Sequence, residues 1–179
     1  MTDTMSPTQR HLCMSHIRSR NTKPELLVRR WLWQHGYRYR LNVKSVPGKP
    51  DIVMRPYRTA IFVNGCFWHG HESCDKFRIP HSNTVFWENK IQRNRERDQH
   101  NYQTLRDNGW NVIVVWECQL QPKTLNDTML QIETQLCDNF LALHQPKHKI
   151  KAYSTEYDSS LAIAAEPQST YNADKKSQD

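Results

Sequence analysis

The chain has 179 residues, 37% of them hydrophobic and 24% charged, with a formal net charge of +7. That length suits one domain with its own core, and no apolar run approaches the ~18 residues a membrane-spanning helix needs. The first twenty residues hold three arginines, two histidines and no apolar stretch, so no secretory leader is read there, and five cysteines are too few and odd in number for a disulfide scaffold; the expectation is a reduced, cytoplasmic setting.

Ser6-Pro7-Thr8-Gln9 has the form of a capping box with proline at the first helical position, and predicts a short basic helix to about Arg20. Thr22-Lys23-Pro24-Glu25 is a second such box. Leu26, Leu27, Arg30, Trp31 and Gln34 follow it at helical spacing, and Gly36 closes the helix. Residues 37–43 alternate with period two and predict a half-buried strand. Residues 46–50 must turn at Pro47, Gly48 and Pro50. Then 51–54 read as a strand, 55–58 as a turn and 59–63 as the returning strand, giving a hairpin or meander of three strands. Residues 64–83 read as a loop crowded with Cys and His. Asn83 or Thr84 starts a long helix to about Asn108, followed by Gly109; its apolar face of Trp87, Ile91, Tyr102 and Leu105 is interrupted by Asn94 and Asp98. Residues 111–116 are a nearly continuous apolar run, the pattern of a central strand buried on both faces. Leu125, Met129, Ile132, Leu136, Phe140 and Leu143 mark a last amphipathic helix. Beyond Gln145 there is little to bury, and a disordered tail is expected. The order predicts one α/β domain of about 144 residues plus a tail.

Charge is unevenly spread. Residues 151–179 carry three Lys and five Asp/Glu, a net −2, which leaves +9 on residues 1–150; within 18–49 there are nine Lys/Arg and one acid, Glu25. A basic domain in a chain with six Trp, seven Tyr and five Phe has the electrostatic footprint of a nucleic-acid binder.

Three groups of residues carry chemistry. Cys66, His71 and Cys74 in the loop and Cys118 after the apolar run have the types and spacing of a closed Cys₃His zinc site, which would staple a structureless loop to the sheet; the same spacing also admits unrelated buried thiols. Cys13 and Cys137 are read as ordinary buried or half-buried thiols. Asp51, at a strand start, is a natural ligand for Mg²⁺, which prefers oxygen, and equally a turn residue. His69 could take a proton from an attacking water; it and His71 serve different centres only if the loop turns between them. Glu25 could complete that site through water, or simply cap its helix. The third group is aromatic: Phe67-Trp68 beside the proposed zinc ligands and Phe86-Trp87 on the long helix. An exposed Phe-Trp pair could wedge between base pairs, most easily at a mismatch, whereas Trp87 shares a helical stripe with Ile91 and on pattern alone reads as core.

Taken in order, five stretches resemble the very short patch repair (Vsr) DNA mismatch endonucleases, a branch of the restriction-endonuclease-like fold. They are residues 14–25 (Met-Ser-His-Ile-Arg-Ser-Arg-Asn-Thr-Lys-Pro-Glu), 47–51 (Pro-Gly-Lys-Pro-Asp), 65–71 (Gly-Cys-Phe-Trp-His-Gly-His), Phe86-Trp87 and 114–118 (Val-Val-Trp-Glu-Cys). The resemblance covers about residues 6–143. It implies an α/β fold with a mixed central sheet flanked by helices, divided into an N-terminal DNA-contacting helix (1–21), an endonuclease core (22–144) and a tail (145–179). It implies an enzyme that nicks one strand of double-stranded DNA on the 5′ side of the T in a T·G mismatch, where 5-methylcytosine has deaminated, with Mg²⁺ for catalysis and Zn²⁺ for structure. By matched position Asp51 and the backbone carbonyl of Val63 hold Mg²⁺, His69 is the general base, and Glu25 acts through water. Cys66, His71, Cys74 and Cys118 hold zinc. Phe67, Trp68 and Trp87 intercalate, while Met14, Lys90 and Asn94 face the DNA. A nucleoid-associated bacterial protein, monomeric and working with mismatch-repair factors, completes the expectation. Some members carry Thr-His where this chain has Val63-Asn64; a carbonyl ligand survives that change, but the imidazole does not. A restriction-type endonuclease on the same fold and a non-catalytic zinc-containing DNA-binding module are the alternatives.

Overall fold

A computed structural model describes residues 6–16 and 20–145; the tail reading falls on 146–179, outside the described residues. Helix α1 (Pro7–Ser15) starts with the complete capping box expected from the sequence, Ser6 Oγ accepting from Gln9 N–H and the Gln9 side chain accepting from Ser6 N–H. It ends at Ser15 rather than near Arg20, and residues 17–19 lie outside the described set. Helix α2 (Lys23–Gln34) is capped by Thr22 and left through Gly36 at φ +83°.

The sheet has three strands in the order β1 (Ile52–Met54), β2 (Thr59–Asn64), β3 (Asn111–Trp116). β1 and β2 form an antiparallel hairpin in the register Ile52 to Ile61, and β2 pairs with β3 in parallel, Val63 opposite Val115. The hairpin turns through a 3₁₀ turn at Arg55–Tyr57 and a left-handed Arg58 (φ +45°). Arg58 also ties that turn to the entrance of β3: its Nε donates to Gly109 O at 2.7 Å and its guanidinium to Asn108 O at 2.9 Å, while its carbonyl accepts from Asn111 N–H.

Two sequence expectations are corrected here. Residues 37–43 form no strand. Only Arg40 pairs, as an isolated bridge to Val53, because the backbone turns left-handed at Asn42 (φ +47°) before a ladder can extend. The central strand is β2, not β3. β2 is buried almost throughout, whereas β3 lies at the edge with alternating burial, its apolar run covered by helices rather than by strands on both sides.

The period-two alternation of the strands divides the core. Ile52, Met54, Ile61, Ile113 and Val115 pack with Val28 and Leu32 of α2 and with Met129, Ile132 and Leu136 of α4 (Leu125–His144). Val53, Ala60 and Phe62 point the other way, onto Leu105 of α3 (Thr84–Asp107). The sheet is thus flanked by α2 and α4 on one face and by α3 on the other, a mixed α/β arrangement. The buried stripe of α2 is Glu25, Val28, Arg29 and Leu32; Leu26 and Leu27, which share the helical spacing read from the sequence, face solvent. Cys137 on α4 is exposed rather than buried or half-buried, and the side chain of Cys13 lies outside the described residues.

Candidate active site and metal cluster

At the end of β2 the chain enters the loop of residues 65–83, and several functional side chains converge on it. Asp51, immediately before β1, accepts a hydrogen bond from Val63 N–H at 2.8 Å through Oδ2, which fixes the carboxylate against the last residues of β2. Burial raises its pKa above the ordinary carboxylate value. The Val63 N–H and the charges of Arg29 and His69 work against that shift, and the charge of Glu25 works with it. The charges of Glu25 and His69, drawn from two other stretches, therefore both reach Asp51. A buried and a half-buried carboxylate of like sign near one another form a donor set that a hard cation would relieve.

Glu25 does more than cap. Thr22 Oγ1 accepts from its N–H, but its carboxylate takes Asn21 N–H, not Thr22 N–H, along with the Thr22 hydroxyl at 2.9 Å and Arg29 Nη2 at 2.7 Å. The reciprocal half of the second capping box is thus absent, replaced by a buried ion pair one helical turn apart. Arg29 also donates to Asn21 Oδ1 at 2.7 Å, and its Nε is buried without a partner among the described residues. The sequence reading counted Arg29 only as part of a basic run; its place at i+4 from Glu25 was the available signal.

His69 and His71 are separated by a turn at Gly70 (φ +62°), where a Cβ would stand 2.6 Å from Ile91 Cγ2. The loop lies flush on α3, and only glycine fits both the conformation and the contact. His69 turns toward α3, where its Nδ1 meets Asp98 Oδ2 at 2.5 Å. Burial acts to raise the Asp98 pKa, but the hydrogen bonds from His69 and Arg97 outweigh it and hold the carboxyl below its usual value. Asp98 was visible in the sequence only as a break in an apolar stripe. Arg95 also escaped the sequence reading. It donates twice to Gly70 O, pairs with Glu72 at 3.2 Å and lies over the Phe77 ring, clamping the loop to α3.

His71 turns the other way. One ligand atom each from Cys66, His71, Cys74 and Cys118 lie within 4.8 Å of one another, with His71 Nδ1 3.3 Å from Cys118 Sγ. The His71 ring stacks on Trp116 at 4.1 Å and 3°, which sets its orientation. Cys66 is fully buried, and burial pushes its thiol up to about 12; burial also raises Cys118. The Lys76 N–H is the main influence lowering Cys74. Sulfurs around a tetrahedral zinc stand roughly 3.8 Å apart, so this donor set closes on such an ion with little movement. These four residues form a possible metal-binding cluster.

The aromatic residues gather as well. Trp87 belongs to neither core cluster. It packs edge-to-face on Phe67 at 5.2 Å, Trp68 at 6.0 Å and Phe86 at 5.3 Å, and Phe67 meets Trp68 at 5.3 Å. Phe86 is 60% exposed. Asn94 is buried, its Nδ2 donating to Trp68 O at 2.8 Å and its Oδ1 accepting from Arg97, so its amide is engaged within the chain. Met14 on α1 and Lys90 on α3 are exposed side chains outside this group of contacts.

The family model described as "DNA mismatch endonuclease Vsr" matches residues 2–76. The chain is 51% identical over 125 residues to "Type II nicking enzyme V.NmeAIP" of Neisseria meningitidis serogroup A, covering 70% of this chain and 89% of that protein. It is 48% identical over 120 residues to "Type II nicking enzyme V.XorIIP" of Xanthomonas oryzae pv. oryzae, covering 67% and 88%. It is also 38% identical over 140 residues to "DNA mismatch endonuclease Vsr" of Escherichia coli K12, covering 76% and 89%. With relatives at these identities matched over nearly nine-tenths of their own length, the chain belongs to the Vsr family of DNA mismatch endonucleases.

Proposed function

We propose that the protein nicks one strand of duplex DNA on the 5′ side of the T in a T·G mismatch, beginning the repair of deaminated 5-methylcytosine, and that it does so as a monomer with one active site on a restriction-endonuclease-like core. The observation that carries the reading is Asp51, held against the end of β2 by Val63 N–H and reached by the charges of Glu25 and His69, with His69 Nδ1 bonded to Asp98.

His69 is the general base. With Nδ1 engaged by Asp98, Nε2 is left to take a proton from the attacking water, and the Asp98 carboxylate stabilises the imidazolium that results. Asp51 and the Val63 carbonyl would hold Mg²⁺, with Glu25 acting through water. When bound, that ion polarises the phosphate and offsets charge on the leaving oxygen. Arg29 holds the Glu25 carboxylate in place through its 2.7 Å ion pair. Cys66, His71, Cys74 and Cys118 would hold Zn²⁺ and fix the loop that carries Phe67, Trp68 and His69. Phe67, Trp68 and Trp87 open the duplex at the mismatch, where unstacking costs least. Asn94 holds the backbone of Trp68, Met14 faces the DNA, and Lys90 with the exposed basic residues of 20–49 meets phosphates.

The test is a nicking assay on T·G and matched duplexes with Mg²⁺ or EDTA. Nicking of the T strand alone in Mg²⁺ is the expected result. Cutting of both strands of matched DNA would favour a restriction-type enzyme, and binding without cutting a non-catalytic module.

A further inference from the structure

An open cleft of about 920 Å³ lies beside His69, lined by Asn64, Asp98, Arg95 and Tyr102 among others. Most of its potential donors are already engaged. Arg95 is taken up by Gly70 O and Glu72, and the Gln92 amide by Glu96. The Asn64 amide is also engaged, its Nδ2 donating to the Tyr102 hydroxyl oxygen at 2.9 Å. That bond uses the oxygen of Tyr102 as acceptor and leaves its proton free. Among the described residues, the hydroxyl donates to nothing.

The phenol is fixed on both sides. Its ring packs edge-to-face on Phe62 at 4.9 Å, and Asn64, itself 4% exposed, holds its oxygen. The charges of Asp98 and Asp51 both reach it, so it shares a field with the residues of the proposed chemistry. Burial pushes its pKa up to about 12, so the hydroxyl keeps its proton at working pH. The cleft's acids, Asp98, Glu72 and Glu96, lie beside Arg95, and a neutral, pre-oriented O–H is a donor that can meet a phosphate oxygen there without a charge of its own.

We propose that the Tyr102 hydroxyl, oriented by the Asn64 amide, donates a hydrogen bond to a non-bridging oxygen of the phosphate attacked at His69. The proposal rests on the nicking reading above. It also gives Asn64, which stands where some relatives carry histidine, a role of its own: it aims a tyrosine instead of supplying an imidazole.

The experiment measures single-turnover nicking of T·G duplex by the full chain and by Tyr102→Phe, Asn64→Ala and the double variant. Each substrate carries oxygen or one of the two sulfur diastereomers at the scissile phosphate. Tyr102→Phe keeps the ring on Phe62, and unfolding midpoints check that each variant is folded. The expected result is nicking slowed roughly 10- to 100-fold in Tyr102→Phe with duplex affinity unchanged. The double variant should be little worse than either single one, and the rate penalty for one sulfur diastereomer should shrink in Tyr102→Phe. A Tyr102→Phe rate within about twofold of the unaltered protein, or sulfur penalties identical in both, overturns the proposal while leaving the nicking function intact. Failure of the unaltered protein to nick T·G duplex overturns both.

Discussion

Asp98 Oδ2 and His69 Nδ1 lie 2.5 Å apart across 29 residues of sequence, one on the middle of a long helix and the other on a loop without regular structure. The helix therefore supplies the rigid half of the pair and the loop the half proposed to react. Replacing Asp98 with Asn should leave the fold and duplex binding intact and lower single-turnover nicking by about 10²-fold or more, the usual weight of a correctly oriented general base. Nicking kinetics at saturating enzyme check this, and a change of less than about threefold would remove His69 from the base role.

The same carboxyl gives a pH signature. Its folded pKa is depressed, so its contribution to stability is present above the ordinary carboxylate value and is lost as pH falls through the folded one. Urea unfolding should show the intact protein more stable than Asp98→Asn at pH 7. The gap should narrow once pH drops below the usual carboxylate value of about 3.8. A gap that stays constant or widens toward acid would contradict the sign.

Removing one proposed metal ligand tests the cluster apart from the chemistry. Cys118→Ser should abolish stoichiometric zinc in the purified protein and lower the unfolding midpoint by more than about 10 °C, because binding energy at a closed site becomes folding energy. Metal analysis with thermal melts checks both. Full zinc content in the variant would mean that the four side chains do not act as one site.

The aromatic group should govern discrimination rather than general affinity. Trp68→Ala is expected to weaken binding to T·G duplex by about 10-fold, within the ~1–3 kcal/mol that stacking on a base contributes. Affinity for matched duplex and its salt slope should stay the same, since phosphate contacts are untouched. Equal losses on both duplexes would place Trp68 outside mismatch reading.

Arg29→Met strips the partner from a carboxylate that is almost fully buried. Leaving one charge of such a pair uncompensated costs about 3–5 kcal/mol, which chemical denaturation would register. Glu25→Gln in the same background should recover part of that loss. No recovery would mean that Arg29 acts through packing alone.

The helices were legible because their ends are written in side-chain chemistry: Ser6 and Gln9, Thr22 and Gly36, and Gly109 all stand where the sequence set them. The strands were less so. Residues 111–116 look the same whether strands or helices cover them, and residues 37–43 kept their alternation without a partner to pair with beyond Arg40. The grouping of Cys66, His71, Cys74 and Cys118 could be read from residue type and spacing. Arg29, Arg95, Asp98 and Tyr102 could not be assigned their contacts in the same way. Their parts depend on which helix face meets which loop, and a helix sequence does not state its neighbour.

Arg58 sits at the opposite end of β2 from Asp51, five residues and about 17 Å before Val63. Yet it anchors the hairpin bend to the backbone leading into β3. Alternate residues of β2 face opposite sides, so a shift of one position would carry Val63, Asn64 and Cys66 each to the wrong side at once. Loss of Arg58 at the distal rim is therefore expected to disturb the Asp51 end of β2 while leaving every residue of the Cys/His cluster and the aromatic group unaltered. Variants that lose activity with every active-site residue in place should first be checked for changes there.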